Sequence, residues 1–306
     1  MTNHPPQTAE SSRKPEWLKV RFPTQREYFA VAALLREHGL NTICRSAQCP
    51  NRTECWSQKT ATFLLLGDVC TRNCAFCAVA KGTPAPLSPD EPAQVAAAAA
   101  ALGLRYVVLT SVTRDDLPDG GAAHFAEAVR ALRERIPGVR VEALVPDFGG
   151  RAEPLAVVLH SGPDVLNHNI ETVEAFYPRI GRQAGYYRRS LDVLGRAKAA
   201  GATTKSGLMI GLGETPDEIR AALRDLRAAG CDLLTLGQYL RPSPAHAPVA
   251  RYCPPGEFES WRDEALALGF RGAEAAPLAR SSFHAHKLFE TSVRPVPAKD
   301  PPPCVT

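Results

Sequence analysis

TATFLLLGDVCTRNCAFC, residues 60–77, joins a short apolar run directly to three cysteines, Cys70, Cys74 and Cys77, in C-x3-C-x2-C spacing. An apolar run of this length that ends on glycine (ATFLLLG, 61–67) reads as a buried strand, so the cysteines occupy the loop that leaves it. Five more runs of the same kind follow: RYVVLTSV (105–112), VRVEALVP (139–146), DVLNHNIE (164–171), TTKSGLMIGLG (203–213) and DLLTLGQYL (232–240). Between them lie PAQVAAAAAALG, AAHFAEAVRALRERI, YRRSLDVLGRAKAAG and TPDEIRAALRDLRAAG, with helical spacing, acidic or capping residues near their starts and glycine at several ends. The alanine run at 96–101 needs no explanation beyond its helix propensity. Repeated βα units predict a parallel sheet closing toward a barrel or a doubly wound sheet, with function at the C-terminal ends of the strands.

The chain has 306 residues, enough for two domains or for one (β/α) barrel with extensions at both ends. Hydrophobic residues make up 44%, and no stretch nears the ~18 consecutive apolar residues of a membrane span. No membrane association is expected. The first residues, MTNHPPQTAESSRKPEW, lack the apolar core and cleavage site of a secretory signal, so a cytoplasmic location is expected. Net charge is +4, and the 36 basic residues are dispersed without a block or an aromatic-interleaved stripe. No nucleic-acid partner is expected. Residues 1–15 and 295–306 (PVPAKDPPPCVT) are proline-rich and polar and read as disordered tails, which makes Cys304 a stray thiol.

Nine cysteines are present, six of them between Cys44 and Cys77. A compact cluster in a chain without a secretion signal argues for metal rather than disulfides. The first three, Cys44, Cys49 and Cys55 in CRSAQCPNRTECW, have C-x4-C-x5-C spacing and precede the first strand. Thiolates suit iron–sulfur clusters or zinc, and either usually takes four ligands, whereas each triplet supplies three. An iron left without a protein ligand can bind a substrate or cofactor. Closed zinc sites are the structural alternative, disfavoured by two triplets in place of two C-x2-C pairs. Cys231 reads as a small buried hydrophobe and Cys253 as a loop thiol.

The second triplet, with Phe76 before its last cysteine, resembles the radical S-adenosylmethionine (SAM) superfamily signature. Both triplets together with Arg280-Ser281-Ser282-Phe283 resemble the lipoyl synthase family, over a span from about Thr42 to His286. TSVTRDDLPDGGA (from 111), LNHNIETV (166–173), TKSGLMIGLGET (204–215) and LTLGQYLRPS (234–243) match the family's pattern in order and spacing.

That resemblance implies a partial (β/α)6 TIM-type barrel over 61–245. An N-terminal extension at 16–60 would carry the auxiliary-cluster cysteines, and a C-terminal extension at 246–294 the Arg-Ser-Ser motif. It implies two 4Fe-4S clusters and SAM as cofactors. One cluster would lie on Cys70, Cys74 and Cys77. The auxiliary one would lie on Cys44, Cys49 and Cys55, with Ser282 as fourth ligand and Ser281 as the fallback. Oxygen matches cluster iron less well than thiolate, so a serine ligand suits a cluster that is consumed; otherwise a Ser-Ser pair is usually a cap or a turn.

Phe76, Asn169, Glu171 and Lys205 form the expected cofactor-contacting set, Lys205 because a lone ammonium in an apolar strand calls for a carboxylate. His168 reads as a hydrogen-bonded core histidine. Asp115, Asp116, Gly120 and Gly121 read as second-strand site residues or as a turn and helix start. Arg280 reads as a salt-bridge partner near the cluster or the substrate. Ser46, where the family commonly has an acidic residue, Phe283, where it has tyrosine, and the basic run GYYRRS (185–190) depart from the family pattern.

The implied reaction inserts sulfur at C6 and C8 of an octanoyl-lysine on a lipoyl carrier domain, from a 2-oxoacid dehydrogenase E2 or the glycine cleavage H protein. Those carbons carry no acidic hydrogen, so general-base chemistry fails and a cofactor-derived radical is required. A ferredoxin or flavodoxin as electron donor and an iron–sulfur carrier for cluster repair are the further partners implied. Two alternatives stand beside this reading. A methylthio-transferring two-cluster enzyme is expected to carry an RNA-binding domain, for which little length remains outside Cys44 to Ser282. A zinc-stabilised binding protein is expected to be colourless.

Overall fold

The computed structural model describes residues 13–20, 23–183 and 185–293. The tail expected at 295–306, with Cys304, and residues 1–12 of the other tail lie outside the described residues. Three helices come first: α1 (Arg26–Glu37), α2 (Ile43–Ser46) and α3 (Arg52–Ser57). The first apolar run forms β1 (Thr62–Leu65), buried throughout. Two short strands, β2 (Val69–Cys70) and β3 (Ala80–Lys81), pair in parallel and close the base of the cysteine loop.

The repeat then proceeds through α4 (Glu91–Ala101), β4 (Tyr106–Ser111), α5 (Ala122–Arg135), β5 (Arg140–Leu144), α6 (Ala152–His160), β6 (Val165–Asn167), α7 (Tyr186–Ala199), β7 (Thr203–Ile210), α8 (Pro216–Ala228) and β8 (Leu233–Gln238). It ends in α9 (Pro255–Ala267), β9 (Gly272–Ala276) and α10 (Ala285–Val293).

The main sheet is wholly parallel, in the order β1-β4-β5-β6-β7-β8-β9, so each strand lies beside its successor in the chain. A doubly wound sheet reverses direction at a switch point. This order never reverses, which leaves a barrel winding, and β1 and β9 remain as its two edges. The expected partial barrel is therefore present, with one strand more than the six foreseen. β9, GAEAA, is missing from the sequence reading because glycine and alanine carry no strand signal; its pairing with β8 is a tertiary effect. β6 is shorter than its apolar run and ends at Asn167, so Asn169 and Glu171 lie beyond the ladder.

Helix faces follow the sequence. In α8, Ile219, Ala222, Leu223 and Leu226 are buried at three- and four-residue spacing, and Thr215 and Glu218 form a capping box with proline at the first helical position. The open edge of β1 is covered from the N-terminal side, where Thr42 bridges Phe63 and the Leu64 amide donates to Asn41 O at 2.9 Å. Among the described residues no helix is long and apolar enough to cross a membrane.

Candidate active site

The Cys70–Cys77 loop is fastened on three sides. Thr71 donates through its amide (3.1 Å) and its hydroxyl (3.0 Å) to Thr113 O, just past β4. The Ala75 amide donates to Ile180 O, and Ala75 O accepts from the Ala247 amide, each at 2.9 Å. Cys70 Sγ accepts from the amides of Arg72 and Thr113, both at 3.4 Å.

Arg72 spans the strand ends, pairing with Asp115 at 2.7 Å and Asp147 at 2.6 Å. Burial alone would raise the Asp147 carboxyl, but the hydrogen bond and charge of Arg72 outweigh it and hold it near 2. Burial raises the Cys77 thiol, opposed by the Val79 backbone and reinforced by Cys74, Glu171 and Cys70, to about 11. The three thiols of this loop and Glu171 thus share one electrostatic neighbourhood.

The first triplet is assembled from α2, α3 and the turn between them. Cys44 is buried, and its carbonyl accepts from the Cys49 amide at 3.1 Å. Gln48 completes the turn with a left-handed φ of 51°. Burial raises all three thiols, and Cys44 raises Cys49 and Cys55 further.

Onto this triplet the chain returns from more than two hundred residues away. The buried Asn51 amide donates to Leu278 O at 2.7 Å, His284 lies 3.5 Å from Glu54, and Arg280 exerts its charge on Cys49. Arg280 is partly buried, donates to Ala279 O at 2.6 Å and has no salt bridge among the described residues. It acts on Cys49, without the salt bridge expected of it.

Asn169 and Glu171 connect the surroundings of the second triplet to Ser281. Asn169 Oδ1 accepts from Ser281 Oγ at 2.8 Å, and the Asn169 side chain also hydrogen-bonds Glu171. Glu171 adopts φ 68°, a left-handed backbone that costs a non-glycine residue about 1–2 kcal/mol. It is pinned there because its amide donates to Gly207 O (3.0 Å) and its carbonyl accepts from Met209 N (2.8 Å). Burial raises the Glu171 carboxyl, against the opposing pull of Arg182 3.9 Å away. Arg182 also lies 5.6 Å from the Phe76 ring centre and hydrogen-bonds Cys74. Sequence reading missed Arg72, Asp147, Arg182 and Asn51; each is an ordinary polar residue whose partner is distant in the chain.

Lys205, expected in the cofactor-contacting set and to require a carboxylate, finds that carboxylate inside the protein, where its donors are engaged. Its ammonium lies 3.0 and 3.1 Å from the Glu142 oxygens and 2.6 Å from Ser281 O. Glu142, invisible in the sequence reading, accepts in addition from Tyr106 and Asn167, each at 2.7 Å.

His168 is the core histidine expected, bonded to Val145 O and Ser190 Oγ, and burial lowers it to about 4. Asp115 and Asp116 pair with Arg72 and Arg114, and Asp119 caps the start of α5 through Gly121 and Ala123. Cys253, though in a loop, is as fully buried as Cys231. Ser282 is half-buried, and its hydroxyl has no hydrogen-bond partner among the described residues.

Each triplet therefore offers three reduced cysteines sharing one pocket of charge, a donor set suited to an iron–sulfur cluster. Among the described residues no group of three or more His, Cys, Asp or Glu is arranged around a single metal ion. A cluster asks something different, since each thiolate meets its own iron.

Fold and site define a radical SAM enzyme: residues 64–226 match the family model described as Radical SAM superfamily. The chain is 54% identical over 280 residues to a lipoyl synthase of Chlorobaculum parvum, covering 91% of this chain and 95% of that one. It is 56% identical over 276 residues to a lipoyl synthase of Methylococcus capsulatus, covering 89% and 85%. The chain belongs to the lipoyl synthase family. Among solved structures, the FeFe-hydrogenase maturase HydG from Carboxydothermus hydrogenoformans superposes with a TM-score of 0.56 at 13% identity, over 87% of this chain and 68% of that one. At that identity the likeness concerns the fold alone.

Proposed function

We propose that the chain inserts two sulfur atoms, at C6 and C8, into an octanoyl group amide-linked to a lysine of a lipoyl carrier domain. One four-iron cluster would be held by Cys70, Cys74 and Cys77, and a second by Cys44, Cys49, Cys55 and Ser282. With SAM bound, the first cluster supplies a 5'-deoxyadenosyl radical able to take hydrogen from an unactivated carbon, and the second supplies sulfur.

The observation that carries this reading is the return of residues 278–284, the stretch that includes Ser282, to the elements bearing the first triplet. Ser281 is spoken for by Asn169 and Lys205, whereas the Ser282 hydroxyl is uncommitted, which favours Ser282 over the fallback.

The chain's own contribution is position and exclusion of water. The fastened loop fixes its three thiols, and Arg182 keeps the strained Glu171 beside Cys74. Glu171 and Asn169 would take the polar groups of SAM, with Phe76 against its apolar surface. The carrier would be a 2-oxoacid dehydrogenase E2 or the glycine cleavage H protein. A ferredoxin or flavodoxin would supply electrons, and an iron–sulfur carrier would rebuild the spent cluster. Eight free cysteines among the described residues suit a reducing cytoplasm.

The test is anaerobic turnover of an octanoyl-lysyl peptide with SAM and a reductant, followed by mass spectrometry. The native chain should yield the doubly sulfurated product. Ser282→Ala should cleave SAM while forming little or none. Full sulfur insertion by Ser282→Ala would refute the serine's part in the reading.

A further inference from the structure

Residues 277–281 lie against the barrel as a strap tied to it or to α3's start at Pro277, Leu278 and Ser281. Pro277 O accepts from the Gln238 amide at 3.1 Å, and Leu278 O from Asn51 at 2.7 Å. Ser281 O accepts from Lys205 at 2.6 Å, and its hydroxyl donates to Asn169 at 2.8 Å. The strap lies so close to the barrel that two strand positions cannot carry a side chain. A Cβ at Gly237 would stand 2.2 Å from Ala279 O, and one at Gly207 would stand 2.6 Å from both Ser281 Oγ and Asn169 Oδ1. Neither glycine has positive φ, so the backbone does not demand glycine; the strap does at Gly237, and the strap together with Asn169 does at Gly207.

Beneath it, Lys205 and Glu142 are 1% and 0% exposed. A buried pair of this kind adds little net stability compared with apolar residues of the same size. It does, however, aim a fixed ammonium at one peptide carbonyl.

We propose that Lys205, paired with Glu142, and the side-chain-free positions Gly207 and Gly237 form a bed that positions the strap so that Ser282 meets the first triplet. They are positioning residues: none touches the cysteines, and each acts through residues 279–281. This inference rests on the reading of Ser282 as a cluster ligand.

The test uses the full chain with Cys70, Cys74 and Cys77 changed to alanine, leaving one cluster to observe. Iron content, the electron paramagnetic resonance spectrum of the reduced cluster and the rate of iron loss to a chelator are measured. The variants are Gly237→Ala, the double change Lys205→Met with Glu142→Gln, and Ser282→Ala as the reference for a lost serine. Both bed variants are expected to keep iron, to shift toward the Ser282→Ala spectrum and to lose iron to chelator faster than the parent.

Gly237→Ala introduces no charge and asks for no unusual φ, and its clash falls on the strap alone, so it reports even where the double variant fails to fold. A parent-like spectrum in the folded bed variants, with or without a lowered melting temperature, would overturn the inference while leaving the serine ligand intact. A parent-like spectrum in Ser282→Ala itself would instead bring down the ligand assignment, and the bed with it.

Discussion

The two cysteine triplets are built in opposite ways. The second gathers its three cysteines locally, in one loop between β2 and β3 aimed by the strand before it, and hydrogen bonds to Thr113, Ile180 and Ala247 then fasten that loop. The first is a long-range object. Its cysteines sit on two short helices and the turn between them, outside the barrel, and a strap whose contact with Asn51 spans 227 residues of sequence packs against them. Local closure costs little chain entropy and forms wherever the loop forms, whereas long-range closure exists only once the barrel is complete. A ligand held by the long-range side can therefore be loosened without disturbing the barrel, which fits a cluster that is spent and rebuilt.

The largest expected effect separates the triplets outright. Cys70→Ala should abolish both SAM cleavage and sulfur insertion, while Cys44→Ala should abolish insertion and leave cleavage measurable. Quantifying 5'-deoxyadenosine beside the lipoyl product reads both, and loss of cleavage in Cys44→Ala would contradict their independence.

Next comes the floor shared by strap and barrel. Lys205→Met alone leaves the Glu142 charge buried without its partner and should destabilise the fold by about 3–5 kcal/mol, seen in denaturant melts. Restoring neutrality with Glu142→Gln should recover most of that loss.

Smaller still, Asn51→Ala strips Leu278 O of its buried donor and should cost about 1–3 kcal/mol. The damage should fall on iron retention at the first triplet, with SAM cleavage close to native. Equal damage at both triplets would break the contrast.

The smallest effect is a pH slope in the barrel framework. Burial lowers His168 to about 4, below the ~6.5 of the unfolded chain, so between those values the unfolded state binds more protons. Stability should be fully present above about pH 6.5 and fall as pH drops toward 4. Thermal melts across that window should show the slope, and His168→Asn should flatten it.

Much of the fold was legible because its signals are local. Apolar runs such as ATFLLLG announce strands, and a capping box announces α8. β9 was not legible, since GAEAA becomes a strand only by pairing with β8. The cysteines were legible because spacing alone marks them. Glu142, Asn51 and Arg182 were not, since a carboxylate, an amide and a guanidinium gain meaning only from partners brought by the fold. Lys205 shows both sides: an ammonium in an apolar strand did require a carboxylate, but sequence could not say that Glu142 of β5, two strands away in the sheet, supplies it.

The most direct test of the two-cluster account is an iron, sulfide and zinc count on the anaerobically reconstituted chain. The account predicts about eight iron atoms per chain, falling to about four when either triplet is replaced by alanine. About four in the native chain would contradict the second cluster, and zinc with little iron would contradict both.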